Sequence, residues 1–497
     1  MKRENYTPFI LGAIVLVAAF FRLYDVPNRA LMGNETVRDA VVGLVGAREL
    51  QLPVTGPFSS LGAFTFGPWY WYHLIASYWI FPTPYAAWYM LAFMSLLFVV
   101  VLFGIGLVIG GPILGLVAAF LAAIAPNQLT AATHLTQPNL LFFYTAFIFF
   151  LVVLTAKSTH PSRWVFTMLG AAFGIAVNFH FQAINLAVAV IAMFVFRKSL
   201  RFIWHLLLGF FVVNIPLLVF QLLNHWHTLR MVVYTMVHMD GLIYVPNSWK
   251  IYVFQFWPDL WANQFGLPIW VGVVFGAVAS AVILRMIMKK QQVLMRLSVL
   301  IFFVMFVALR YYKGERFFSY YNFFTPWLFV FAAVPLAWGL QAKHIAVRLV
   351  TIGVLLAYTM SVLPKDIAML APSEFTLAMK NAVAIIKAEY EGKSVVIHNC
   401  LAKNLYRDFT LTFLLGIEGR VGKDGAKLGF TKGGCEYPGS AEGLLESSKY
   451  ASEELQKMEL MDFTAAPEAA ILENHWFPLT LEVMYDTEVK WWYKEKP

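Results

Sequence analysis

Apolar runs of about twenty residues recur from Pro8 to Leu363, and they limit what this chain can fold into more than any motif does. An α-helix rises about 1.5 Å per residue, so about twenty apolar residues carry the backbone across the hydrocarbon core of a bilayer. Eleven such runs can be read, at approximately 8–26, 86–109, 112–127, 138–156, 163–179, 183–197, 202–222, 268–286, 296–310, 319–341 and 346–363. The expected fold is a polytopic α-helical membrane protein with about eleven transmembrane helices. Composition agrees, since 60% of the 497 residues are hydrophobic and only 13% charged, about half the charge of a typical soluble domain. The net charge of +9 does not point to nucleic acid, because the cations punctuate the apolar runs and form no basic patch.

Every second short connection is basic, except the uncharged Ile-Gly-Gly-Pro turn at 109–112: Lys2 and Arg3, Lys157 and Arg163, Arg197 with Lys198 and Arg201, Arg285 with Lys289, Lys290 and Arg296, and Lys343 with Arg348. Cytoplasmic loops are enriched in Lys and Arg, so eleven crossings put the amino terminus inside and the carboxyl tail outside. The first run is too long for a removed signal peptide and lacks a small-residue cleavage site; it is read as a retained helix. Only eight of the 28 carboxylates precede residue 364, and all of these but Glu4 fall on the outer side. None lies at mid-membrane, where a proton- or ion-coupled transporter buries its ionisable groups. The pattern points to a site at the outer interface.

Two outer loops are long, 27–85 and 223–267. In the first, Glu35 to Leu50 has Val37, Val41, Leu44 and Val45 along one side and reads as an interfacial helix. The aromatic stretch from Gly67 to Phe81 reads as a second. Residues 1–364 form the transmembrane domain, and residues 365–497 read as a small extracytoplasmic α/β domain. In this tail the expected elements are a helix at 373–391, a strand at 394–398, a helix near 401–415, Gly/Lys-rich turns, and strands near 469–473 and 479–493. The only two cysteines, Cys400 and Cys435, lie there, either as a disulfide on the oxidising side or as buried thiols.

Glu35 and Asp39 are spaced i, i+4 with Arg38 beside them. On one helix face they make a candidate base, held ionised by the arginine; the alternative is a capping box running from Thr36 to Asp39. Arg310, Lys313 and Arg316 cluster where a span reaches the outer face. They suit a phosphate, or else reach to lipid headgroups. His180 and Gln182 break an outer hairpin, as substrate contacts or interhelical hydrogen bonds. Gln137 and Asn139 open the fourth run, read mainly as a capped helix start with substrate contact left open, and Tyr70 and Tyr72 stand in the aromatic stretch as further contacts. His225, His227 and Asp240, with His238 and Asp259 nearby, give a weak divalent-metal signal. The sequon Asn34-Glu35-Thr36 is a three-residue match and carries no weight.

Phe21-Arg22-Leu23-Tyr24-Asp25, Gly33-Asn34-Glu35-Thr36-Val37-Arg38-Asp39-Ala40, Leu52-Pro53, Gly56-Pro57 and Gly67-Pro68-Trp69-Tyr70-Trp71-Tyr72 stand in order in the first loop. With Gln137-Pro138-Asn139, the His180/Gln182 hairpin and Tyr320-Tyr321 to Pro326, the arrangement resembles the lipid-linked-sugar glycosyltransferases of family 39. That family includes protein O-mannosyltransferases and bacterial aminoarabinose transferases. The resemblance covers about residues 8–340 and leaves the tail unmatched. It implies a GT-C type fold, a polyprenyl-phosphate sugar donor, a first-loop acid activating an extracytoplasmic lipid, glycan or protein acceptor, and cations on the leaving phosphate. It does not imply a nucleotide-sugar donor or a nucleic-acid partner. Many relatives have Asp-Glu or Asp-Gln where this chain has Asn34-Glu35. The usual acid corresponds either to Asn34, which makes Asp39 the candidate or the protein inactive, or to Glu35. The expected protein is an integral membrane hexosyl- or pentosyltransferase of the bacterial cytoplasmic membrane, with divalent metal possible. The alternatives are a non-catalytic lipid-binding or lipid-translocating protein or assembly subunit, and a receptor that uses its tail.

Overall fold

The computed structural model describes residues 6–57, 59, 64–198, 200–238, 249–288, 292–311, 321–392, 395–399, 407–417, 426–431, 444–445 and 459–462. Helix α1 (Thr7–Leu23) leads through α2 (Val26–Arg29) to α3 (Asn34–Arg48) and α4 (Trp69–Ile80). Then come α5 (Ala86–Gly110), α6 (Pro112–Ala123), α7 (Pro126–Thr133), α8 (Gln137–Lys157) and α9 (Arg163–Phe179). A 3-10 turn, Phe181–Leu186, runs into α10 (Ala187–Arg197), followed by α11 (Ile203–Leu223) and α12 (His227–His238). The second long loop ends in α13 (Trp249–Ile251), a π-helical turn (Tyr252–Phe256) and α14 (Trp257–Phe265). The bundle closes with α15 (Ile269–Ile287), α16 (Val293–Arg310), α17 (Thr325–Leu340) and α18 (Ile345–Ala368).

A helix underlies each of the eleven apolar runs. Among the described residues six are long and apolar enough to cross a membrane: α5, α8, α11, α15, α16 and α18. The pair α6 and α7 makes a seventh if taken as one span bent by 58°, and α1, α9, α17 and the 181–197 segment are shorter apolar helices. The chain is a polytopic helical membrane protein. Buried α17 forms its centre, with Trp327 stacked on Phe149 of α8 at 4.0 Å. In contrast, α18 turns Leu349, Val350, Leu356 and Met360 outward, as a lipid-facing helix does. Where α9 and α11 cross, a Cβ on Gly170 would stand 1.9 Å from the Leu206 carbonyl oxygen, and one on Gly209 would stand 2.0 Å from that of Thr167. Only glycine permits that contact.

The bend between α6 and α7 has a local cause. Pro126 holds Ala125 extended and has no amide hydrogen to continue the ladder. The last carbonyls of α6 would be orphaned in the interior, but Arg22, fully buried at the end of α1, donates to Ala122 and Ala123 at 2.9 Å each and to Ser95 Oγ at 2.9 Å. The charge of Asp366, also fully buried, faces this guanidinium.

The tail begins with α19 (Glu374–Glu389), β1 (Val395–Asn399) and α20 (Arg407–Ile417). Strands β2 (Ala426–Thr431), β3 (Leu444–Leu445) and β4 (Glu459–Asp462) complete a sheet ordered β1-β2-β4-β3, with β1 and β2 parallel and the other pairs antiparallel. Sequence reading gave turns where β2 lies; Lys427 and Gly429 hid a strand paired from Ala426 opposite Val395. The strands expected at 469–473 and 479–493, and both cysteines, lie outside the described residues. Helices α19 and α20 pack onto the first loop: Thr376 donates to the Ala30 carbonyl, Thr410 to that of Met32 at 2.9 Å, and Lys380 to that of Pro27 at 2.8 Å. Met379, Ala382, Ile386, Phe413 and Leu415 join the same apolar core as α3 and α4.

Candidate active site

Helix α3 starts at Asn34 behind an extended Gly33. The Thr36 hydroxyl lies 2.8 Å from the carbonyl oxygens of both Leu31 and Gly33, which fixes the turn into the helix. No capping box forms. The Asp39 carboxylate turns to longer-range partners: Arg38 donates to Oδ1 from Nε at 2.9 Å and Nη2 at 2.8 Å, and Tyr70 of α4 donates to Oδ2 at 2.7 Å. Asp39 is 2% exposed, while Glu35, one turn earlier, is exposed. The two carboxylates expected to share one environment therefore divide: one is bound into the fold, the other open.

Burial, reinforced by the Asp39 charge and hydrogen bond, pushes the Tyr70 phenol well above its ordinary value, so it stays a donor. Burial pushes His134 down, and the charge of Glu35 partly opposes this, which places Glu35 near the connection before α8. There Asn139 donates to the His134 carbonyl at 2.7 Å, and Asn322 donates to that of Pro138 at 2.7 Å. Gln137 is half-buried at the same helix start. Asn322 was not singled out from the sequence, because its partner is a backbone carbonyl 184 positions away.

The rest of the first loop folds back as a hairpin, with Gly56 N–H donating to the Phe66 carbonyl and Phe66 N–H to that of Pro57, each at 2.9 Å. Tyr72 tethers this loop by donating to the Pro53 carbonyl at 2.7 Å. Gly67 lets the hairpin seat on α9, since a Cβ there would lie 1.6 Å from Asn178 Oδ1. This brings Phe66 over His180, ring to ring at 5.6 Å, and within 4.9 Å of Phe181. His180 Nδ1 accepts from the Gln182 N–H at 3.3 Å, so the neutral ring carries its proton on Nε2. Burial pushes this imidazole down to about 4. One turn along α4 from Tyr70, His73 lies 2.6 Å from the Trp69 carbonyl and 2.7 Å from the Tyr144 hydroxyl, a polar contact hidden in an aromatic stretch.

Arg310 ends α16 at the same pole, 8% exposed, with Cζ 5.5 Å from the Trp249 ring. Tyr252 stacks on Phe256, which meets Tyr321 at 4.8 Å, next to Asn322. The loop-rich pole thus joins Arg310 to the start of α8 through a run of contacts, and the charge of Glu35 on α3 is felt at the same connection. Lys313, Arg316 and Asp240 lie outside the described residues. His225 is exposed and His227 half-buried, and no group of three or more His, Cys, Asp or Glu side chains that could hold a metal occurs among the described residues.

The helical bundle shares its fold with solved structures, in agreement with the fold implied by the resemblance. ArnT from Cupriavidus metallidurans in the apo state matches over 94% of this chain and 100% of its own, with a TM-score of 0.61 at 13% identity. The same protein bound to undecaprenyl phosphate gives 0.60 at 13% identity. The Archaeoglobus fulgidus oligosaccharyltransferase in complex with Zn and sulfate gives 0.50 at 15% identity, over 77% of this chain and 55% of its own. No protein-family model matches the sequence, and no curated protein matches it. At such identities the likeness is one of fold.

Proposed function

We propose that this protein is a membrane glycosyltransferase that moves a hexosyl or pentosyl unit from a polyprenyl phosphate to a lipid, glycan or protein acceptor on the extracytoplasmic side. The observation that carries the reading is the exposed Glu35 beside an arginine gripped by Asp39, itself held by Tyr70, at the loop-rich pole of a GT-C fold. The undecaprenyl phosphate bound to ArnT supports the donor class. In the reaction, an acceptor oxygen attacks the anomeric carbon, its proton passes to the Glu35 carboxylate, and the bond from that carbon to the donor phosphate oxygen breaks. Arg38 and Arg310, with Lys313 and Arg316, stabilise the charge that develops on the leaving phosphate. Asp39 is a positioning residue: saturated with donors and buried, it orients Arg38.

The eleven apolar segments are read as eleven crossings of a bacterial cytoplasmic membrane, with the amino terminus inside. Residues 1–364 then form the transferase domain, and 365–497 an extracytoplasmic domain over its first loop. The test is transfer of labelled sugar from membranes preloaded with polyprenyl-phosphate sugars, wild type against Glu35→Gln and Asp39→Asn. Loss of product in both variants supports the assignment. Unchanged turnover in both sinks it. Lipid binding by the wild type without transfer from any donor replaces it with a carrier or assembly subunit.

A further inference from the structure

Gln182 has no part in the step above, yet its amide is 4% exposed and neither Oε1 nor Nε2 has a hydrogen-bond partner among the described residues. Buried amides are almost always satisfied, so this one waits for a group that both donates and accepts. A hydroxyl does both. The turn carrying Gln182 packs against α8, α9, α10 and α16. None of these helices contains a carboxylate. Lys157, Arg163, Arg197 and Arg296 lie at the opposite pole, and Arg310 stands at this one. Two residues before Gln182, His180 stacks against Phe66 as a neutral ring.

We propose that the surface formed by Phe66, His180 and Gln182 is the glycosyl subsite, and that it selects a neutral, hydroxyl-bearing sugar over an amino sugar. This rests on the transferase reading. Aromatic faces cover the apolar side of a sugar ring, and the amide pairs with its hydroxyls. An ammonium group turned toward Gln182 would find no counter-ion on the four helices around that amide, Glu35 standing on α3 and not among them. Glu315, close in sequence to that arginine, lies outside the described residues.

The experiment uses full-length protein in nanodiscs and two polyprenyl-phosphate hexoses that differ only by an amine in place of one hydroxyl. Both kcat/KM and competitive binding are read, and monodisperse elution shows that each variant is folded. Wild type should prefer the neutral donor by at least about tenfold. Gln182→Leu should raise KM for it and erase the preference, while Gln182→Glu should turn the preference toward the amino sugar. Equal use of both donors by wild type, or an unchanged preference in Gln182→Glu, overturns the subsite. So does amino-sugar acceptance that disappears in Glu315→Gln. If neither donor is transferred, the transferase reading fails and binding decides: selective binding lost in Gln182→Leu upholds the subsite, and unselective or absent binding overturns it.

Discussion

The two poles of the bundle use the same cations for different work. At the short-turn pole, Lys157 donates to the Val108 carbonyl, Arg197 to those of Thr155 and Ser158, Arg296 to that of Ile287 and Arg348 to that of Ala342. Each closes a helix end or a turn, nearby in the chain for Arg296 and Arg348 and 39 to 49 positions away for Lys157 and Arg197, the role expected of cations near C-terminal carbonyls. At the loop-rich pole, Arg22 spans 101 positions to Ala123, Arg29 reaches Met369 340 positions away, and Lys365 reaches Gly266. There the cation both finishes a helix end, as Arg22 does for α6, and places segments 99 to 340 positions apart against one another. The difference teaches that charge at this pole ties together segments far apart in the chain around the loop that carries Glu35, whereas at the other pole it closes ends and joins helices that follow one another more nearly in sequence.

That contrast can be broken most directly at its functional centre. Glu35→Gln should lower transfer by about 10²- to 10⁴-fold while leaving the melting temperature in detergent unchanged, since Glu35 is exposed. A loss of stability of the same size would make Glu35 structural. Arg22→Met should cost about 3–5 kcal/mol in thermal or denaturant unfolding, because it leaves two buried α6 carbonyls without donors. Thr410→Val should cost about 1–3 kcal/mol and speed amide exchange around Met32, with Thr410→Ser restoring both.

Acid should act through His180. Its value in the folded state, about 4, is below the ordinary imidazole value, so between about 6.5 and 4 the unfolded chain binds the proton first and stability falls with pH. Melting temperatures of wild type and His180→Gln at pH 7 and pH 4.5 check this: the variant should show the smaller drop. The least effect belongs to the short-turn pole, where Lys157→Ala should shift stability by no more than about 0.5 kcal/mol. A cost there rivalling that of Arg22 would abolish the distinction between the poles.

The helices were legible because apolar length and amphipathic period are local properties, and the same holds for the two helices of the first loop, α3 and α4. The polar contacts were not. The spacing from Thr36 to Asp39 suits a capping box as well as it suits the observed arrangement, and the choice is made by Tyr70, 31 positions on. Arg22 reads as an ordinary helix-end cation, because carbonyl partners leave no signature in sequence. The apolar face of α19 announces that something is buried without saying against what; the shift to a charged tail suggested a separate core, whereas Met379 and Ile386 share the core of α3 and α4.

The grip of the tail on the first loop also carries a consequence for biogenesis. The carbonyls of Ala30 and Met32, just ahead of the helix that bears Glu35, receive their side-chain donors from residues 346 and 378 positions later. Chain elongation proceeds at about 5–20 residues per second, so on the order of tens of seconds separate the making of these partners. Throughout that interval the segment leading into α3 is already outside the ribosome but not yet fastened. The helix that bears Glu35 is made before the partners that fasten the segment leading into it, so in the nascent chain that segment stays unfastened until residues 376 and 410 have been synthesised.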